Sequence, residues 1–505
     1  MNPKLKKLLL LLLSGALLFG VSGVQQSMNA DRNRLGLTRR EPLENAPPVL
    51  AFTTVALGGF RGLISNILWV RAAELQENDK FFEMAQLADW ITKLEPHFVH
   101  VWLVQAWNMS YNISVKFKDY PDRWRWVKRG IELLRDQGLV YNPNEMLIYR
   151  ELAWHFQHKM GHNLDDASMY YKQMWANEMA EVFGKKKPDL DELINPQTDD
   201  QKRRAALLRD KYKMDPVKMK AVEEKHGPLE WRLPEAHAIY WAEEGLRAAR
   251  ENPTRIKQDD LITLRRVIYQ CLQLAFHRGR LIANPFAQRF DFGPNLDIIP
   301  NASAAYEQAA EEDATNRDNI LRAHRNFLRD AVYFLYQHNR VADAARWYKY
   351  LGEKYPDKSI LDARPETLPS KVTLEEYVFA RVQEDVQETS RDRLKATIEG
   401  MLVNYYMNLA IDQEERALGF KLMANLIWNT YNSQLIASRT NALALPPLAE
   451  IDREMLARIL HPEEGVAPEI RAVLRSRLGL PAETNPPPAD AGTNAPASAP
   501  APAGK

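Results

Sequence analysis

The 505-residue chain has a single cysteine, Cys271, so it can form no internal disulfide and no multi-cysteine zinc site. It also lacks charge of one sign. Lys plus Arg is 67, Asp plus Glu is 66, and the net charge is +1. No global field draws in a polyanion, so nucleic acid is excluded as an expected partner. Several chemical signatures are missing as well: there is no Gly-x-Ser-x-Gly, no phosphate-cradling glycine loop, no dinucleotide fingerprint and no His-Glu-x-x-His. Strand signals are few, and most of the chain reads as helix. Catalytic residues and cofactors are therefore not expected.

What is present begins with the N-terminus. Lys4, Lys6 and Lys7 precede an apolar run from Leu8 to Val24. A basic start followed by such a run is a targeting segment. A spanning helix needs roughly 17–25 apolar residues, which puts this run at the short limit. Two readings stand: an uncleaved anchor, favoured because no Ala-x-Ala site stands out, and a cleaved signal peptide. Arg32, Arg34, Arg39 and Arg40 follow the run. The lysines lie closer to it, so the body is expected outside the cytoplasm, in a periplasm-like space. A second apolar patch, 47–60, is short for a span. Its continuation, 62–70, reads as the first packed helix, with contact to a membrane surface as the alternative.

Aromatic residues make up 10% of the chain and include 12 Trp. Large rings let short helices bury enough area to stay docked. The segment Phe81 to Pro96 is one helix closed by a proline, and Val101 to Met109 opens the next, with Trp102 and Ala106 at its aromatic and small positions. After Asn142-Pro143, the residues Tyr149, Leu152, Ala153 and Phe156 repeat the pattern, and Ala167 is small in the partner helix. Ala323 to Pro356 carries a further hairpin, with Ala344 small and Pro356 as the stop. Small residues let neighbouring helices close up, and the rings fill the gap between hairpins.

This layout resembles the tetratricopeptide (TPR) repeat, in about four units that cover less than half the chain. Met84 stands where the family has a small residue, and the loops after Ile113 and Met160 are longer than its norm. The resemblance implies an all-α fold of TPR-like hairpins stacked in a superhelix, and a binding scaffold without catalysis. The N-terminal transmembrane or signal helix would precede this body, and a disordered tail would follow it. The expected organisation is a signal anchor at 1–24, a linker at 25–46, N-terminal repeats at 47–184, a charged solvated insertion at 185–228, a second repeat group at 229–358, a C-terminal helical region at 359–480 and a Pro/Ala-rich tail at 481–505. In TPR proteins the first helix of each hairpin lines the concave face. Carried onto this chain, that face would include His100, Leu103, Trp107, Ser110 and Tyr111 from one unit, and Arg150, Trp154, Gln157 and His158 from the next. The implied partner is a protein or peptide near a bacterial-type envelope membrane.

Other side chains invite chemistry. Glu151, His155, His158 and His162 follow one another at spacings of four, three and four and could converge on a metal, although Gly161 is expected to end the helix before His162. That cluster motivates the alternative of an all-helical hydrolase or metal-dependent enzyme. A third reading is an accessory protein of membrane transport that uses 47–70. Glu235 and His237 lie two apart and should point to different sides of a helix. Cys271, in an apolar run, reads as a buried structural thiol.

Overall fold

The computed structural model describes residues 3–34, 60–184, 188–251, 257–283, 290–338, 340–361, 366–385, 391–412, 414–438 and 444–482. The apolar patch at 47–59, the linker from 35, Lys185 to Lys187 and the tail from 483 lie outside them. The described chain is all-α apart from one short antiparallel hairpin, Arg280–Ala283 with Phe290–Gly293. It divides into two compact units. Unit 1 takes 1–279 and 300–320; unit 2 takes 280–299 and 321–505.

Unit 1 opens with α1 (Pro3–Arg34). Leu12, Leu13, Leu17, Phe19, Val21 and Val24 are exposed along it. Among the described residues no helix is long and apolar enough to cross a membrane. Three helical hairpins then follow. α2 (Phe60–Glu77) packs on α3 (Phe81–Leu94). α4 (Val99–Trp107) runs on through a π-helical turn, Asn108–Ile113, and packs on α5 (Tyr120–Glu132). A second π turn, Leu133–Gly138, and the one-turn α6 (Leu139–Tyr141) lead to α7 (Met146–Trp154). A third π turn, His155–Gly161, extends α7, and this extension packs on α8 (Ser168–Phe183).

The second and third hairpins repeat each other in detail. One offset separates Pro96 from Pro143, Trp102 from Tyr149, Ala106 from Ala153 and Trp107 from Trp154. The indole N–H of Trp102 donates to the Pro96 carbonyl at 2.8 Å, and the hydroxyl of Tyr149 donates to the Pro143 carbonyl at 2.7 Å. In both hairpins the π turn starts directly after the equivalent Trp, Trp107 or Trp154. The repeated ring thus fixes the entry loop of its own helix while filling the interior. Ala106 and Ala153 are fully buried at the close approaches.

The charged stretch after 188 is helical, but it packs against the rest of unit 1 and is not a solvated insertion. It forms α9 (Asp191–Ile194), α10 (Asp199–Asp210) and α11 (Pro216–His226), and it buries Leu193, Ala205, Leu208, Tyr212 and Met219. Its charges pair along exposed faces, Arg203 with Asp200 at 2.7 Å for example, while one apolar stripe faces inward. Thr198 and Gln201 close a reciprocal cap on α10. Asp215 caps α11 ahead of Pro216, accepting from the Val217 N–H at 2.9 Å. α12 (Pro234–Glu251) is buried on nearly every side, its polar residues Glu235, His237 and Glu244 included, and forms the centre of the unit, against α7 and α13 (Gln258–Arg278). At Gly245 a Cβ would lie 3.1 Å from both Leu264 and Tyr149, so glycine sets how closely these three helices approach. α14 (Ile299–Glu312) runs through the last part of the unit.

Unit 2 comprises the strand pair, most of α15 (Arg317–Gln337), α16 (Val341–Lys354), α17 (Leu374–Asp385), α18 (Arg391–Ala410), α19 (Glu414–Ser438), α20 (Leu448–Ile459) and α21 (Pro468–Arg477). Ala344 and Leu351 are fully buried on α16, which ends two residues before Pro356. Asp330 takes both Arg381 and Arg393, at 2.9 and 2.8 Å, in place of a purely apolar centre.

Candidate functional site

The inner helices of the second and third hairpins bring four rings into a row. Trp107 stacks on Tyr111, with centroids 5.5 Å apart and planes 19° apart. Trp154 stacks on His158 at 4.5 Å and 11°. Both pairs are four residues apart on a helix, where side chains meet. The Tyr111 and His158 rings are 5.7 Å apart, and the Tyr111 hydroxyl lies 3.1 Å from His158 Nδ1. The outer members stay open to solvent: Trp107 is 42% exposed and Trp154 36%. The π turns place these pairs. Each inserts an extra residue into a helix, and such insertions recur where proteins aim side chains.

Beside the row is a cleft of about 400 Å3, lined by Tyr111, His158, Val115, Leu164 and an ionic cluster. At the base of this cluster, Lys159 is only 4% exposed. Its Nζ donates to Asp165 Oδ2 at 2.6 Å and lies 4.9 Å from the Tyr111 ring centroid. Asp165 also accepts from Arg123 at 3.2 Å, from the Tyr171 hydroxyl at 3.3 Å and from the Ala167 N–H at 2.9 Å. Arg123 bonds Asp166 as well.

Burial pushes the Asp165 carboxyl up, but the hydrogen bonds from Lys159 and Ala167 outweigh it and hold it below the carboxylate range. Burial pulls the Lys159 ammonium down, and its bond to Asp165 opposes this. The two shifts pull the pair in different directions. The ionised pair is the form that the 2.6 Å geometry and the converging donors require. Burial, then Lys159 and His155, lower His158, which favours its neutral imidazole, and Nδ1 shares a hydrogen bond with the Tyr111 hydroxyl. Burial, with Glu151, raises Tyr111, which keeps its proton.

The cleft is thus balanced in charge, and its one buried carboxylate is saturated with donors. Such a carboxylate is a poor general base. The arrangement is suited to binding: two exposed indoles, each backed by a second ring, over a rigid polar base.

The residues expected on the concave face divide into four groups. Trp107, Tyr111, Trp154 and His158 come together as described. His100 is exposed and meets Phe98 edge-on at 6.0 Å. Leu103, Ser110 and Gln157 are buried, and Gln157 donates to Gln270 at 2.7 Å. Arg150 is half-buried and paired with Asp260. Arg123, Lys159, Asp165, Asp166 and Tyr171 had not been singled out. Their one local signal was Asp165-Asp166 just ahead of a helix start, where a carboxylate closes a turn.

The Glu151–His162 set does not converge. His155 is fully buried between carbonyls, with Nδ1 2.8 Å from Glu151 O and Nε2 3.5 Å from Ala106 O. His158 and His162 have centroids 6.0 Å apart. The π turn rotates the later residues off the face that α-helical spacing assigns them. Among the described residues, no three or more His, Cys, Asp or Glu side chains are arranged to hold a metal. Glu235 meets Arg278 at 3.1 Å while His237 bonds the Trp231 carbonyl at 2.8 Å, so these two face different neighbours. Cys271 is buried, and burial raises its thiol well above the ordinary range.

Compared with protein-family models, with curated proteins and with solved structures, the chain matches none.

Proposed function

We propose that the chain is a TPR-like scaffold, held at a membrane by its N-terminal segment, which binds a protein or peptide across the aromatic row of unit 1. The observation that carries this reading is the row itself. Trp107 and Trp154 occupy equivalent places in successive hairpins and remain exposed, although each is braced by a stacked ring. Rings held in place in advance lose little freedom on binding. The repeated Pro96–Trp102 and Pro143–Tyr149 bonds support a stacked, superhelical arrangement of the hairpins. A bound segment would lay apolar side chains on the two indoles and a polar group into the cleft between Tyr111 and Arg123. The saturated carboxylate supports binding without turnover. The basic start of α1 and its exposed leucines support the tether and a body outside the cytoplasm.

The test is crosslinking of the full-length chain in its source membrane, beside Trp107→Ala/Trp154→Ala. The proposal expects a discrete adduct that the variant loses, with slowed amide exchange over 107–111 and 154–162 in the complex. An adduct kept by the variant would move binding away from this face.

A second reading rests on α2. Leu63, Ile67 and Val70 form an exposed stripe at helical spacing. It favours contact with a lipid surface, the membrane-accessory role. Flotation of a chain lacking residues 1–34 that survives Leu63→Glu/Ile67→Glu would remove it.

A further inference from the structure

Unit 1 holds a second cleft of about 400 Å3 that shares no residue with the aromatic row. Five cations line it: Arg135, Arg209, Lys213, Lys218 and Arg247. Only two acids do, and both are committed. Glu244 takes Lys218 at 2.8 Å and Arg247 at 2.7 Å. Asp215 is turned onto the start of α11. Arg135 is held bidentately by Asp136. Arg209 and Lys213 have no ion pair among the described residues, and both are exposed at the mouth. In a chain of net charge +1, this is a local excess of positive charge.

The floor has a different character. Tyr149 and Trp241, with centroids 6.1 Å apart, lie there with Met214, and Leu139 and Val140 stand beside them. Lys213 adds an independent sign. Its φ is +54°, the left-handed region that glycine or asparagine occupies readily and lysine rarely does. Backbone strain of this kind is retained where a side chain's direction matters. The turn between α10 and α11 gives up local stability and points an unpaired ammonium at the cleft.

We propose that this cleft binds a phosphoryl group carried on an organic molecule with a flat or apolar portion. Arg209 and Lys213 would take the phosphoryl oxygens, and the Tyr149–Trp241 floor would take the remainder. Arginine forks and lysine point charges suit phosphoryl oxygens. The volume lies in the range of small-ligand sites, about 300–1,000 Å3. A soluble ester and a lipid headgroup present the same group, and the experiment separates them.

The full-length protein is titrated with phenyl phosphate, followed by Trp fluorescence, and is floated with phosphatidylglycerol and with phosphatidylcholine vesicles. Saturable binding of phenyl phosphate, weakened about tenfold or more in Arg209→Glu/Lys213→Glu, identifies a soluble ester. Flotation stronger with phosphatidylglycerol than with phosphatidylcholine, with that excess lost in the same variant, identifies a headgroup. Lys202→Glu/Arg203→Glu, on the exposed face of α10, makes the same charge change elsewhere and should leave both readouts intact. Lys213→Gly is the second variant. It should melt higher than wild type and yet bind more weakly, a combination that a merely structural lysine does not produce. Failure of both probes, equal loss in the control pair, or unimpaired binding by Lys213→Gly overturns the assignment.

Discussion

Replacing Gly130 with alanine is a sharp test of how the second hairpin is built. Gly130 lies on α5, where that helix crosses α4 and its π turn. A Cβ there would collide with Ser110 Oγ and come within 2.9 Å of the Ala106 carbonyl oxygen. The serine hydroxyl can rotate away, giving up only a 3.5 Å bond to the Val127 carbonyl. The Ala106 carbonyl belongs to the helix backbone and cannot move without shifting α4. Forcing extra volume into such a contact costs about 1–3 kcal/mol. Alanine in place of glycine inside a helix returns about 1 kcal/mol. A contact against fixed backbone takes the upper part of that range, about 2–3 kcal/mol, so the crowding wins and a net loss of about 1–2 kcal/mol is expected. Gly419 in α19 is the control, because no atom lies within 4 Å of its would-be Cβ. Only the helix term acts there, and Gly419→Ala should gain up to about 1 kcal/mol. Two probes separate the units during thermal unfolding. Of the 12 Trp, only Trp347 and Trp428 belong to unit 2. Gly130→Ala should therefore lower the fluorescence-detected transition, and Gly419→Ala should raise the part seen by circular dichroism with little change in fluorescence. A Gly130→Ala protein as stable as wild type would refute the close approach of α4 and α5. Removing the hydroxyl as well, with Ser110→Ala, should recover only a fraction of the loss, because the carbonyl remains.

Three other expectations can be checked on the same protein. Trp107→Ala and Trp154→Ala should each cost about 1–3 kcal/mol of stability while leaving the fold intact, since over half of each ring is buried against its stacked partner. Covering the exposed 42% of Trp107 is worth at most about 2–3 kcal/mol of affinity, which a titration with the captured partner would read. Asp165→Asn leaves Lys159 buried without its acid and should cost about 3 kcal/mol or more in denaturant unfolding, with Lys159→Met in the same chain restoring part of it. His237 sets an acid limit. Burial, opposed by its bond to Trp231, pushes its imidazole down to about 4, below the unfolded value, so the unfolded chain takes up the proton first. Stability should fall from about pH 6.5 to about pH 4, by about 3 kcal/mol, and level off below that. His237→Gln should flatten this stretch of the fluorescence-detected pH profile.

The helical elements were legible where the apolar period and its terminators agreed. Phe81–Leu94 and Val341–Lys354 end just ahead of Pro96 and Pro356, and Ala106, Ala153 and Ala344 are buried as small residues between helices should be. The charged stretch misled because composition weighs its many lysines and acids above the inward stripe of Leu193, Leu208 and Met219. The ring row was half legible. Trp107 with Tyr111 and Trp154 with His158 are local pairs four residues apart, so each pair is near in sequence, while the π turn that begins between its members sets the stacking. The ionic base was not legible, because Arg123, Lys159 and Asp165 come from three segments. Arg150 was drawn off the face by Asp260, far along the sequence, a partner no local pattern names. The π turns left no trace in the hydrophobic period, since one extra residue in a short segment does not shift it visibly. They nevertheless decided that His155, His158 and His162 would not share a face.

Those π turns make the position of the exposed ring row a matter of phase. Each holds one residue more than an α-helix of the same span needs. Shortening 155–161 by a single residue would heal the helix while turning everything beyond it by about 100°. Lys159 and His158 would swing out of the cleft with no side chain altered. In a repeat of this kind, one codon lost or gained inside a helix is a larger functional step than most substitutions. Two hairpins that carry the same extra residue at the same place have therefore kept a shared frame, and through it a shared surface.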